Sequence, residues 1–241
     1  MSLGKFYGIG VGPGDPELLT LKAKRVLEEI DVLLVPKSKM EKRSLALSIV
    51  SGLINKEWEC VELLLPMTTD REQLKTHWGK AAQQVAKVLS KGKDTGFITL
   101  GDPTIYSTFT YLLKHVKKLL PEAPVEIIPG ISSINSIAAW IQQPLAEGEE
   151  SLIIVPALED KETLEKIIDR FDNIVLLKAG SQTGKVVDIL KDRDMLGKGF
   201  FASRYGFKDG FYTRDLNSLR DKKFDYLSTM VIKKGMGDDD Q

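Results

Sequence analysis

Apolar residues follow two alternating rhythms along the first half of the chain. Short unbroken apolar runs at 6–11, 31–36, 60–65 and 95–100 predict strands. Between them the apolar positions fall three and four apart, as on one face of a helix. Leu19, Ala23, Val26, Leu27 and Ile30 form one such set, and residues 44–53 predict a second helix. Leu74, Trp78, Ala81, Ala82, Val85, Val88 and Leu89 trace a longer one, and Phe109, Leu112, Leu113, Val116 and Leu120 a fourth. Fully apolar strands alternating with amphipathic helices predict a parallel sheet covered on both faces. The polar, proline-stiffened stretch Leu120-Pro121-Glu122-Ala123-Pro124 predicts a domain boundary, giving 1–122 and 123–241. Beyond it the rhythm changes. Strands at 125–128, 151–155 and 173–178 alternate with helices at 132–142, 164–171 and 186–190, and strands at 199–203, 211–213 and 226–232 follow closely. That spacing predicts a mixed sheet, so the fold class is α/β with two α/β domains.

Two glycine–proline loops each follow a predicted strand: Gly10-Val11-Gly12-Pro13-Gly14-Asp15-Pro16 and Gly101-Asp102-Pro103-Thr104. Glycine lets backbone approach a ligand, and proline holds a turn without donating a hydrogen bond. In parallel sheets ligands bind beyond the carboxyl ends of the strands, where both loops fall. A dinucleotide fingerprint would need a third glycine where Asp15 stands, although Asp31 lies near the distance of the ribose-binding acid. Prolines 13 and 16 also break the turn that would seat a pyrophosphate. No G-x-x-x-x-G-K-[ST] run offers a triphosphate cradle.

Charge narrows the partners. Lysine plus arginine equals aspartate plus glutamate at 34 each, so nothing overall favours nucleic acid or a membrane surface. The start of the chain lacks a signal-peptide pattern and no apolar run approaches a membrane span, which predicts a cytoplasmic protein. The one cysteine, Cys60, excludes an intramolecular disulfide and reads as a small buried hydrophobe at the start of a strand. His77 and His115 lie in helical segments away from any metal-ligand spacing, so no metal site is expected. H-E-x-x-H, G-x-S-x-G and C-x-x-C are all missing. Transfer of an already activated group between two bound molecules needs none of them.

Several residues carry both a bland and a functional reading. Pro129-Gly130-Ile131-Ser132-Ser133 opens a helix with Ser132 or Ser133 as N-cap, or offers helix-start amides and hydroxyls to a ligand. Asp102 is a turn residue or an acceptor for a ribose hydroxyl or ammonium group. Lys37, Lys39, Lys42 and Arg43 form a solvated loop or meet an anionic substrate, Arg43 being the best fork for a carboxylate. Arg204 and Lys208 are weaker candidates of that kind. Lys178, at the end of an apolar strand, either snorkels or faces the ligand.

These residues together resemble the tetrapyrrole (corrin/porphyrin) methylases. The likeness rests on residues 10–19, on Gly101-Asp102-Pro103 and on Pro129-Gly130-Ile131-Ser132. Within them the chain is similar to the precorrin-2 and cobalt-factor II C-20 methyltransferases of cobalamin biosynthesis. That narrower likeness rests on Arg43-Ser44-Leu45-Ala46, on Pro66-Met67-Thr68 with Asp70, and on the run from Thr99 to Phe109. The resemblance implies an active site in the cleft between the two domains and S-adenosylmethionine as methyl donor, with Pro13, Leu100, Gly101, Asp102, Ile105, Ser132, Ser133, Lys178, Thr229 and Met230 around it. It implies a tetrapyrrole substrate met by Lys39, Arg43, Ser44 and Tyr106, with Tyr106 and Ser107, one helical turn into the cleft, as candidates near the chemistry. It also implies a homodimer. The implied reaction brings an electron-rich macrocycle carbon and the sulfonium methyl to about 3–3.5 Å in line, with water excluded.

Three rivals stay open on sequence alone. One is a methylase of the same superfamily acting on another corrin carbon, uroporphyrinogen III, diphthine or ribosomal RNA. Another is a non-catalytic tetrapyrrole-binding protein, and the third a nicotinamide oxidoreductase. Whether the substrate already holds cobalt also stays open, with the overall resemblance leaning to the cobalt-bearing one.

Overall fold

The computed structural model describes residues 2–38, 44–66, 68, 70–156 and 160–235. They divide into two compact units, 1–133 and 134–241.

The first unit holds five parallel strands: β1 (Phe6–Gly10), β2 (Val32–Lys37), β3 (Glu59–Leu64), β4 (Thr95–Thr99) and β5 (Val125–Ile128). Their order across the sheet is β3-β2-β4-β1-β5. Helices α1 (Leu21–Glu29), α2 (Leu45–Ser51), α3 (Arg71–Leu89) and α4 (Phe109–Leu119) connect them. The chain leaves β1 towards β2 on one side and leaves β4 towards β5 on the other. Right-handed crossovers therefore send the helices after β1 and β4 to opposite faces, opening a switch point at their carboxyl ends. On one face Phe6, Leu34, Leu63 and Phe97 pack against Ala82, Val85 and Leu89 of α3 and Phe109, Leu112 and Val116 of α4. Ile9, Leu33 and Ile98 alternate with them in the strands, are equally buried, and point to the other face.

The link at 120–124, where the sequence places a boundary between 122 and 123, lies inside this unit. β5 follows it and pairs in parallel with β1, Phe6 opposite Val125, so the prolines end α4 without ending the sheet.

In the second unit α5 (Ser133–Trp140), which begins at the boundary, leads to β6 (Leu152–Pro156), α6 (Lys161–Arg170), β7 (Asn173–Leu177), α7 (Thr183–Asp192), β8 (Gly199–Ser203), β9 (Phe211–Thr213) and β10 (Ser228–Lys233). The sheet order is β6-β7-β10-β8-β9. Of the neighbouring pairs in this sheet, β6 and β7 pair in parallel, while β10 is antiparallel to both β7 and β8, which makes the sheet mixed as expected. Leu164 and Ile168 of α6 and Val186 and Leu190 of α7 cover Leu176, Phe201 and Met230 on one face. Ile134, Ile137 and Ile141 cover Val175, Phe200 and Val231 on the other.

Candidate active site

Three loops meet at the carboxyl ends of β4, β1 and β5. The Val11 N–H donates to the Thr99 carbonyl at 3.0 Å, and the Gly101 N–H to the Gly12 carbonyl at 2.8 Å. Gly12 and Gly101 both take positive φ, 80° and 66°, which only glycine adopts without strain. A Cβ on Gly10 would stand 2.5 Å from the Gly101 carbonyl oxygen and 2.6 Å from the Gly130 nitrogen. A Cβ on Gly130 would stand 2.2 Å from the same carbonyl. Main chain thus packs directly on main chain at a junction of Gly10, Gly101 and Gly130. The sequence reading of Pro129-Gly130, as a helix opening or a ligand-facing helix start, did not place it as the third partner of this junction. Its signal was a glycine at or just beyond the end of each of three neighbouring strands.

Asp102 is buried at this junction. Its Oδ1 accepts from the Thr104 N–H at 2.7 Å and from the Thr104 hydroxyl, and its Oδ2 accepts from the Gly130 N–H at 3.0 Å. Farther along, the Thr99 and Ser107 hydroxyls lie 3.0 Å apart, and Ser107 Oγ accepts from the Phe109 N–H at 3.2 Å. Ser107 and Tyr106 precede α4, which begins at Phe109 as its apolar spacing predicts. Tyr106 has φ 48°, an uncommon conformation for a bulky residue, and is half exposed. Ile105 and Ile131 are also exposed, beside the buried polar residues Asp102, Ser107 and Ser132.

The other expected residues fall as follows. Pro13 is buried, Leu100 half-buried, and Ser133 opens α5 directly after Ser132. Asp15 accepts from the Glu17 N–H at 2.9 Å, and Asp31 from the Asp94 N–H at 2.9 Å, so both acids of the rejected dinucleotide fingerprint serve the backbone. Ser44 is the N-cap of α2, its hydroxyl accepting from the Leu47 N–H at 3.4 Å. Lys37 forms an ion pair with Glu62 at 2.5 Å. Lys39, Lys42 and Arg43 lie outside the described residues, as does Met67.

Within the second unit, Lys178 follows β7 with φ 59°, its ammonium 5.2 Å from the Tyr226 ring centroid. Thr229 stands opposite Leu177 in the neighbouring strand. Met230 is fully buried in the core beside Phe201 and Leu176. Arg204 is engaged by Asp209 and Asp225, each at 2.7 Å, and those carboxylates hold its pKa above the usual guanidinium value. The guanidinium named as a weaker candidate for an anionic substrate is thus engaged by the protein's own carboxylates. Cys60 overturns another expectation: it is exposed, because β3 is the sheet's edge strand. Partial burial first, and the Glu62 carboxylate second, push its thiol pKa up. Among the described residues no three histidine, cysteine or acidic side chains gather as a metal site, and no helix is long and apolar enough to cross a membrane.

Comparison with known proteins gives the same picture along the whole chain. Residues 5–214 match the family model described as Tetrapyrrole (Corrin/Porphyrin) Methylases. The chain is 42% identical over 232 residues to a protein of Methanocaldococcus jannaschii named "Probable cobalt-precorrin-2 C(20)-methyltransferase", covering 95% of this chain and 96% of that one. It is 30% identical over 232 residues to the "Cobalt-precorrin-2 C(20)-methyltransferase" of Salmonella typhimurium, covering 96% and 97%. Among solved structures it resembles the uroporphyrin-III C-methyl transferase of Thermus thermophilus complexed with S-adenyl homocysteine. That likeness has a TM-score of 0.67 at 19% identity, over 96% of this chain and 98% of that one, and speaks for the fold.

Proposed function

The chain belongs to the tetrapyrrole (corrin/porphyrin) methylases, and from that membership we propose that it is an S-adenosylmethionine-dependent C-methyltransferase of cobalamin biosynthesis. It adds a methyl group to carbon 20 of precorrin-2 or of its cobalt-bearing counterpart, cobalt-factor II. The observation that carries this reading is identity of 42% and 30% over nearly the full length to two proteins named for that reaction. Both names carry cobalt, which favours the cobalt-bearing substrate.

The donor supplies an activated methyl on its sulfonium, so the chain's own task is to bind, aim and keep out water. In the first unit we assign Pro13, Leu100, Gly101, Asp102, Ile105, Ser132 and Ser133 to the donor. The glycine junction suits this role: main-chain groups of 100–104 are held in fixed turns, and exposed Ile105 and Ile131 provide apolar surface for an adenosyl group. Lys178, Thr229 and Met230 are assigned to the donor by their place in the family pattern. Lys39, Arg43, Ser44 and Tyr106 are assigned to the substrate, whose many carboxylates give the basic residues a reason to be there. Tyr106 and Ser107 are the candidates near the reacting carbon. A homodimer working in the cytoplasm completes the proposal.

Anaerobic transfer of labelled methyl from S-adenosylmethionine, with precorrin-2 and cobalt-factor II side by side, tests it. Label at carbon 20 is the expected result, and the faster substrate names the route. Label on another acceptor, or donor bound and never consumed, would replace it with a different methylase or a binding protein.

A further inference from the structure

Asp102 stands in the donor loop, and its place there suggests a ligand acceptor. Its hydrogen bonds point elsewhere. Oδ1 already receives the Thr104 N–H and hydroxyl, and Oδ2 receives the Gly130 N–H across a sequence separation of 28 residues. The side chain is buried, 9% exposed. Hydrogen bonds to an ionised acceptor are shorter and about twice as strong as neutral ones. A buried carboxylate so engaged holds its donors in place.

We propose that the Asp102 carboxylate is a positioning residue that shapes the donor loop through the protein's own main chain, and does not itself bind a ribose hydroxyl. This rests on the reading of residues 100–104 as the donor loop. Three ties bring the loops together: Val11 N–H to Thr99 O, Gly101 N–H to Gly12 O, and Gly130 N–H to Asp102. The first two link β1 with β4. The third brings in the loop after β5, which carries Ser132 and Ser133. The carboxylate is needed there because all its close partners are donors. An asparagine of equal size would turn an NH2 towards one of them, leaving a buried donor facing a donor. A Cβ on Gly130 would clash with the Gly101 carbonyl, so the loop is packed close on that side and a lost tie releases it outward.

The test is binding of S-adenosylhomocysteine and of its 2′-deoxy and 3′-deoxy analogues to the intact chain, by calorimetry. Wild type, Asp102→Asn and the milder Thr104→Ala are compared. The expected result is that Asp102→Asn weakens all three probes by one common factor, about tenfold to a hundredfold. The ratio between parent and deoxy probes then stays at its wild-type value, Thr104→Ala shows a smaller loss with the same ratio, and amide exchange at Gly130 accelerates in Asp102→Asn. A parent-to-deoxy ratio that collapses towards one in Asp102→Asn alone would overturn the proposal, since the hydroxyl would have lost its partner. Unchanged Gly130 exchange would overturn it as well. If wild type binds none of the probes, the donor reading itself fails, and Gly130 exchange still decides whether Asp102 ties the loop.

Discussion

Ser107 shows how one hydroxyl can serve two elements. It pairs with Thr99 at the end of β4 and accepts the Phe109 N–H where α4 begins. Ser107→Ala removes both and leaves a buried amide short of a partner, which costs about 1–2 kcal/mol. Denaturant unfolding should show that loss as a lower midpoint with an unchanged slope. Arg43 is argued from sequence alone: Arg43→Ala weakens tetrapyrrole binding and leaves S-adenosylhomocysteine affinity intact, and an equal loss of both in titrations would remove it from the substrate side. Individual site residues were legible where chemistry is local, as in the glycines and prolines of the two loops. Gly130 as a partner of Asp102 was not, because a contact across 28 residues leaves no periodic trace.

At the scale of elements, α4 sits on β1 through one close fit. Phe109 is fully buried, its ring 5.4 Å from that of Phe6 and 5.8 Å from that of Phe97. A Cβ on Gly8 would come within 2.3 Å of the Phe109 ring. Gly8→Ala therefore overpacks the interface by about 1–3 kcal/mol, and adding Phe109→Leu should recover part of that loss in thermal melts, a rescue that independent sites would not show. A second tie joins the start of α1 and the approach to β1 with β5. Lys22 and Lys5 flank Glu126, and together, Lys22 foremost, they hold its carboxyl down to about 2 from an ordinary 4.5. A depressed carboxylate pKa stabilises the fold above the unfolded value, and the benefit is lost as pH falls from 4.5 towards 2. Glu126→Gln should flatten the stability profile in that window, and the difference should shrink in high salt. Strands and helices were readable from the two apolar rhythms to within a residue or two at most ends. The position of β5 was not, since the prolines at 121 and 124 look like a domain link while the partner of β5, β1, is about 120 residues away.

At the scale of the molecule, each unit carries apolar clusters of its own. Leu112 belongs to a cluster of the first unit and Leu190 to one of the second. Truncating either to alanine costs about 2–5 kcal/mol, and the effects should add to within about 0.5 kcal/mol. Hydrogen exchange would rise in β1 and β4 for Leu112→Ala, and in β7, β8 and β10 for Leu190→Ala; a rise in both units from either change would join the two cores. The α/β class and the change to a mixed sheet were visible in the spacing of strands, because burial on both faces writes itself into composition. Which strands become edges was not, and Cys60 is the instance, taken as buried and found exposed on β3. That misplaced residue makes the chain countable. A maleimide fluorophore would attach once per polypeptide, slowly at neutral pH because the raised pKa leaves little of the reactive thiolate there. Bleaching in one step or in two would then report, molecule by molecule, whether the chain travels alone or in pairs.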